Sequence, residues 1–392
     1  MSRPDVLLIE GCDFETYPAG GILTFTRHMM MAFGNRLALV GITTDEAPTS
    51  RWITRRIGGN THEVFYYGCR NRSAVGKPLI PARITGYVCL RRHMAAIRSL
   101  GVRNIFVQSP EFLLAAIKYK WDSICYCSAG VKNDIAVSRY WWARRFGGLY
   151  ERSLFKALKY VDVILAAADE ASIDQWVSRS QGALPRHRVI SFPTRVDTGF
   201  FTPQPCKHAR SRLAISNQSF VLVSCGRLNW QKGWDLVLDA LANVLQYRPN
   251  AELIFVGDGE DRSAVQERAR RLGLARSVRI TGVLPPATVV DYLNAADLVV
   301  FGSRVEGWSI AMLEALACGK AIVSTNVSGA HDLIEPGTNG FIVEGRDPRD
   351  FCRAILRVPE LADAPAASLK IASRFTVKNL AQDIGAVWPP LA

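Results

Sequence analysis

FGSRVEGWSIAMLEALACG, residues 301–319, reads as the end of a strand, a turn and a helix in immediate succession. The apolar run 298–301 (LVVF) is short enough for a buried strand, and Gly302, Ser303 and Gly307 are turn formers. Ser309 suits the N-cap of the apolar run 310–318, and Gly319 the position just past its C-terminus. A helix that starts after such a loop presents free N–H groups and the positive end of its dipole, here around Trp308, Ser309 and Ile310, which suits a phosphate. Glu306 falls in the loop on one side of that site. Glu314 lies about 7 Å further along the helix from Ser309, at roughly 1.5 Å per residue. Acids near helix starts are common, and read alone Glu314 is equally a solvated side chain.

Outward from this stretch the chain alternates strands and helices twice. The first series has strands at 6–10, 37–42, 104–108, 123–126, 163–167 and 188–192, and helices at 22–33, 87–100, 111–119 and 144–160. Residues 51–87 between them are irregular and basic, with strands near Trp52 and at 62–66. The second series has strands at 220–225, 252–256, 278–281, 298–301 and 321–324, and helices at 234–247, 261–272 and 286–295 besides the opening one. Two such β/α series imply an α/β protein of two doubly wound parallel sheets. The expected domains are 1–200 and 201–375, with 376–392 a C-terminal helix able to pack back on the first. The Pro-rich, polar segment 200–211 lies at their boundary. Such sheets bind ligands at the C-terminal strand ends, so a cleft between the two is the expected site.

At 392 residues, 48% hydrophobic and 21% charged, the composition is that of a globular protein with room for two cores. No apolar run reaches the length of a spanning helix, and the N-terminal run reads as a first strand rather than a signal sequence. Nine scattered cysteines offer no disulfide framework and no CxxC spacing, which fits a reducing cytoplasm. The net charge of +13 is concentrated: residues 51–110 carry eleven Arg or Lys against one acid, Glu63. An anionic partner is implied. The segment 138–160 adds Tyr140, Trp141, Trp142, Phe146, Tyr150 and Phe155 interleaved with Arg139, Arg144, Arg145, Arg152, Lys156 and Lys159. Aromatics among cations suit an anionic membrane surface, although helical spacing allows half of these rings to be core. Nucleic acid is not expected, since no nucleic-acid module accompanies the charge.

SCGRLNWQKGWDLVLDA, residues 224–240, places Arg227 and Lys232 between a strand end and a helix start, where two cations suit a diphosphate leaving group. The order GRLxxxKG, VGDGE (256–260), Glu-x7-Glu with EALACGKAIVST, and GTNGFIVE (337–344) resembles the retaining GT-B glycosyltransferases of family 4. The likeness is strongest over 224–344. It implies a GT-B fold of two Rossmann-like domains facing across a cleft, and transfer of a hexose from a nucleotide-diphosphate sugar with retention. It further implies that Arg227 and Lys232 hold the diphosphate, with Gly226 at the turn before them. Glu306 faces the sugar, Glu314 binds ribose hydroxyls, and the backbone at Trp308, Ser309 and Ile310 completes the phosphate cradle. Gly20 and Gly21 match the family's N-terminal glycine loop. No metal is expected, since there is no Asp-x-Asp and the cations already neutralise the diphosphate. No cofactor beyond the donor is expected either: Gly257-Asp258-Gly259 lacks the third glycine of a dinucleotide fingerprint.

Two departures stand out. The family's histidine after a first-domain strand is replaced by Ser128-Ala129-Gly130, with Asn133 and Asp134 nearby, and its interdomain Asn-Gly by Thr194-Arg195. The expected role is a cytoplasmic transferase, peripheral on the inner face of the plasma membrane, acting on a glycan or lipid-linked glycan in bacterial cell-surface polysaccharide synthesis. A soluble transferase for a small acceptor, a nucleotide-sugar epimerase and an inactive scaffold homologue stay open.

Overall fold

The computed structural model describes residues 3–18, 20–70, 81–132 and 144–392. They form two units: Met1–Pro193 together with Val377–Ala392, and Thr194–Thr376.

The first unit is built on an eight-stranded sheet: β1 (Val6–Ile9), β2 (Leu37–Thr43), β3 (Trp52–Ile57), β4 (Asn60–Cys69), β5 (Asn104–Val107), β6 (Ser123–Ser128), β7 (Val163–Ala166) and β8 (Val189–Ser191). Their order is β3-β4-β2-β1-β5-β6-β7-β8, parallel except for β3. The period-two pleat sorts the side chains of β1 into two layers. Leu7 and Ile9 face the helices Ala82–Arg98, Pro110–Ala116, Gly147–Leu158 and Glu170–Arg179. Val6 and Leu8 face the helices Gly21–Phe33 and Leu380–Val387. The last residues belong to this second layer. Trp388 is fully buried against Phe106, with ring centroids 6.0 Å apart, and its Nε1 donates to Ser123 Oγ at 2.8 Å.

The basic stretch holds the two strands expected near Trp52 and at 62–66, as β3 and the longer β4. β3 and β4 form an antiparallel hairpin that adds an edge strand to the otherwise parallel sheet, turning through Gly58 and Gly59, both at positive φ. On β3, Thr54 and Arg56 point to solvent, a charged edge that discourages further strand pairing.

The expected helix 144–160 is the shorter Gly147–Leu158. Beside and along it, Arg144, Arg145, Phe146, Leu149, Arg152, Lys156, Lys159 and Tyr160 are exposed, whereas Phe155 turns inward against Trp176. Arg139, Tyr140, Trp141 and Trp142 lie outside the described residues, as do Arg72 and Lys77 of the basic segment. Among the described residues no helix is long and apolar enough to cross a membrane.

The second unit holds a six-stranded, all-parallel sheet: β9 (Phe220–Cys225), β10 (Ala251–Val256), β11 (Val278–Ile280), β12 (Leu298–Phe301), β13 (Ile322–Thr325) and β14 (Gly340–Val343), in the order β11-β10-β9-β12-β13-β14. The chain runs outward from β9 through β10 to β11, then returns to the other side of β9 as β12. That reversal makes β9/β12 the topological switch point, where crevices open at the carboxyl ends of the strands.

Candidate active site

Two loops leave the carboxyl ends of β9 and β12. After β9 come Gly226 and Arg227, both exposed, and then Asn229, whose Oδ1 accepts the Lys232 N–H at 3.1 Å and caps a short 3-10 turn, Trp230–Lys232. Gly233 is left-handed and opens the helix Trp234–Val244. After β12 come Gly302 to Trp308 and the helix Ile310–Ala317, whose N-cap Ser309 accepts the Met312 N–H at 3.4 Å. The two loops touch backbone to backbone. A Cβ at Gly233 would fall on the Gly302 carbonyl, and one at Gly302 would crowd the Gly233 carbonyl.

This approach brings the two strongest site candidates together. Lys232 Nζ donates to Glu306 Oε1 at 2.7 Å and to Oε2 at 2.8 Å. Ser303 Oγ donates to Glu306 Oε1 at 2.6 Å, and Thr325 Oγ1, from the end of β13, donates to the Ser303 carbonyl at 2.6 Å. The Glu306 side chain is 8% exposed and that of Lys232 37%. The carboxylate is therefore fixed from two sides, and the ammonium keeps an open face.

A second ionic group braces the same loops. Asp235, in the first turn of the helix after Gly233, pairs with Arg346 Nη2 at 3.1 Å and with Arg304. Arg346 Nη1 donates to the Gly302 carbonyl at 2.6 Å, and the Arg304 guanidinium stacks 3.4 Å over the exposed Trp230 ring. Side chains from three loops thus fix the path of residues 302–306. Sequence reasoning missed Ser303, Thr325, Asp235, Arg304 and Arg346. All five lie at or just past carboxyl strand ends or in the first turn after one, which is the signal that could have found them.

Glu314 lies on the helix as expected, but its state differs from a simple carboxylate. Burial pushes its pKa up to about 8, so it is mostly protonated at neutral pH and can both donate and accept a hydrogen bond. Trp308 is packed inward against Gly329 and Phe375, its ring centroid 5.6 Å from the latter, and its buried Nε1 has no acceptor among the described residues. Ile310 is the first helical residue. Thr194, in place of the family's Asn-Gly, donates through Oγ1 to the Trp308 carbonyl at 3.5 Å. Gly257 approaches the Gly226 carbonyl closely and so packs the loop after β10 against the site. Gly20 and Gly21 stand at the start of the helix Gly21–Phe33 in the other unit. Ser128 Oγ donates to the Gly130 carbonyl at 2.6 Å, and Asn133 and Asp134 lie outside the described residues.

Two α/β units, each on a largely parallel sheet, are the GT-B architecture. Residues 207–372 match the family described as glycosyl transferases group 1. The chain is 31% identical over 304 residues to the D-inositol 3-phosphate glycosyltransferase of Segniliparus rotundus, covering 65% of this chain and 68% of that one. It belongs to the glycosyl transferases group 1 family. The chain spans about half the length of the other curated relatives of that name that it matches. Among solved structures it resembles sucrose-phosphate synthase from Thermosynechococcus elongatus, with TM-score 0.80, 16% identity and coverage of 100% of this chain and 99% of that one. It also resembles HepE of Anabaena in complex with UDP-glucose, with TM-score 0.73, 19% identity and coverage of 98% and 99%.

Proposed function

We propose that this chain is a retaining glycosyltransferase that moves a hexose from a nucleotide-diphosphate sugar to a glycan acceptor, lipid-linked, in bacterial cell-surface polysaccharide synthesis. The observation that carries this reading is the Lys232–Glu306 bond at the β9/β12 switch point, beside the start of the helix Ile310–Ala317. As the anomeric C–O bond breaks, negative charge builds on the diphosphate. Lys232, Arg227 and the helix amides at Trp308, Ser309 and Ile310 stabilise it where it forms. Glu306 faces the sugar, whose ring carbon gains positive character. Glu314 holds the ribose hydroxyls. This charge balance needs no metal ion. Names among the relatives support a sugar-transfer role, and the UDP-glucose bound to HepE supports a donor of this kind.

The exposed cations and apolar side chains around the helix Gly147–Leu158 support attachment to the inner face of the plasma membrane through its anionic lipid. The test of the activity is release of nucleoside diphosphate from a panel of nucleotide-sugars, with the anomer of the product read by NMR. Turnover that is unchanged in Glu306→Gln sinks the site, and an inverted product sinks retention. Co-sedimentation with vesicles tests the membrane: binding must grow with anionic lipid and fall with salt.

A further inference from the structure

A cavity stands at the amino ends of the second sheet, away from the loops described above. Phe220 opens β9, Ala296 and Asp297 lead into β12, and Lys320 and Ala321 lead into β13. These are three neighbouring strands. Their first residues line a cavity of about 470 Å³, which Arg248, Val358, Leu361 and Ala364 complete. That volume is within the ordinary range of small-ligand pockets, about 300–1,000 Å³. The lining residues Arg248, Asp297, Pro359 and Pro365 are exposed, so the cavity opens to solvent. Lys232 and Glu306 follow the opposite, carboxyl ends of β9 and β12, so the two places are separate within one unit.

The charges of this cavity are not balanced. Lys320 is half-buried, and its Nζ donates to the carbonyls of Asn294 at 2.8 Å and Ala296 at 2.9 Å, at the end of the helix Pro286–Ala295. Both acceptors are neutral, and an ammonium has a third proton to give. The Arg248 guanidinium lies 5.7 Å from the centroid of the Phe220 ring. Among the described residues neither Lys320 nor Arg248 forms a salt bridge. The acid in the lining, Asp297, is already matched. Its Oδ2 accepts from the buried Arg210 Nη2 at 2.8 Å and from the Val221 N–H at 2.6 Å.

We propose that this cavity receives a small monocarboxylate with an apolar body, its carboxylate held by Lys320 and Arg248. The proposal does not rest on the transferase reading.

The chemistry of the lining selects among ligands. A cation would meet two cations, and a neutral group would leave both without a counter-ion. A phosphate dianion would bring a second charge beside Asp297. A single carboxylate suits the planar fork of a guanidinium and one ammonium proton. Burial holds the Lys320 amine below its usual range, a cost that an adjacent anion offsets. Phe220, Ala321, Val358, Leu361 and Ala364 give the rest of the wall an apolar surface, against which an apolar body leaves water.

The test is saturation-transfer NMR on the full chain, with and without UDP. The probes are hexanoate, 3-phenylpropionate and indole-3-acetate, with their amides, 3-phenylpropylamine and phenyl phosphate as neutral, cationic and phosphate counterparts. At least one carboxylate should show transfer fivefold or more above its amide, the amine and phenyl phosphate, and should keep it when UDP is added. Arg248→Glu and Lys320→Met should each reduce that signal fivefold or more. Arg248 is exposed, so Arg248→Glu reverses one charge without disturbing the core even if Lys320→Met misfolds. The proposal is overturned if no carboxylate shows transfer, or if an amide, the amine or phenyl phosphate matches it. It is also overturned if UDP abolishes the signal, which would place the carboxylate among the donor-site cations, or if either folded variant leaves the signal intact.

Discussion

Lys232 and Glu306, 74 residues apart in sequence, share both carboxylate oxygens of the glutamate with one ammonium, at 2.7 and 2.8 Å. The pair closes the switch point of the second sheet, and in the donor site proposed above Lys232 has two competing anions, Glu306 and the diphosphate.

From this competition follows a split effect for Glu306→Gln. Removing the carboxylate frees Lys232 for the diphosphate, so affinity for the nucleoside diphosphate should hold or rise. Turnover should fall about 100-fold or more, the scale for losing one electrostatic stabiliser of a transition state. Calorimetry of nucleotide binding beside the rate of nucleotide release checks both halves. A parallel loss of affinity would mean that Glu306 only props up the loop.

Asp235 holds Arg346 and Arg304 together, and Arg346 in turn holds the Gly302 carbonyl. Asp235→Asn leaves two half-buried guanidiniums without their shared counter-ion. We expect a stability loss of about 1–3 kcal/mol by urea unfolding. The kcat should also fall, because residues 302–306 are no longer fixed and Glu306 loses its aim. Arg346→Lys keeps a charge but cannot reach both the carbonyl and the carboxylate in the fork geometry, so it should restore only part of the rate.

The chain's alternation of buried apolar runs with turn residues made both sheets legible, because parallel strands buried on two faces read as continuous hydrophobic segments. Glu306, Lys232 and Ser309 were legible for a related reason: each belongs to a short local pattern of turn, cap and charge. What was not legible is tertiary. Asp235 meets Arg346 across 111 residues, and Trp388 meets Ser123 across 265. Neither pairing leaves a local trace. Glu10 was the last residue of a strand in the sequence reading, without any hint that its carboxyl would be buried. The strands near Trp52 and at 62–66 were read, but their antiparallel pairing as the β3–β4 hairpin was not, because the charges of an edge strand resemble those of a loop.

Trp388 ties the chain's last segment into the first unit. Its indole fills space beside Phe106, and its N–H is satisfied by Ser123. Trp388→Ala should cost about 3–5 kcal/mol in chemical denaturation, the usual range for emptying a large aromatic site. Trp388→Phe should cost less, since it keeps most of the packing and loses the hydrogen bond.

Glu314 gives a pH signature. Its pKa in the folded chain is raised by burial from 4.5 to about 8. Between those values the folded state holds a proton that the unfolded state has released. Stability therefore falls as pH rises through that window, since its slope follows protons bound unfolded minus protons bound folded. Glu314→Gln mimics the protonated form at every pH and removes this contribution. The difference in Tm, variant minus wild type, should increase steadily from pH 5 to pH 8 and level off above. Glu10 titrates in the same window in both chains and cancels in the difference. A Tm difference that stays flat across that range would place an ordinary, solvated carboxylate at Glu314. The neutral hydrogen-bonding partner assigned to the ribose would then be lost.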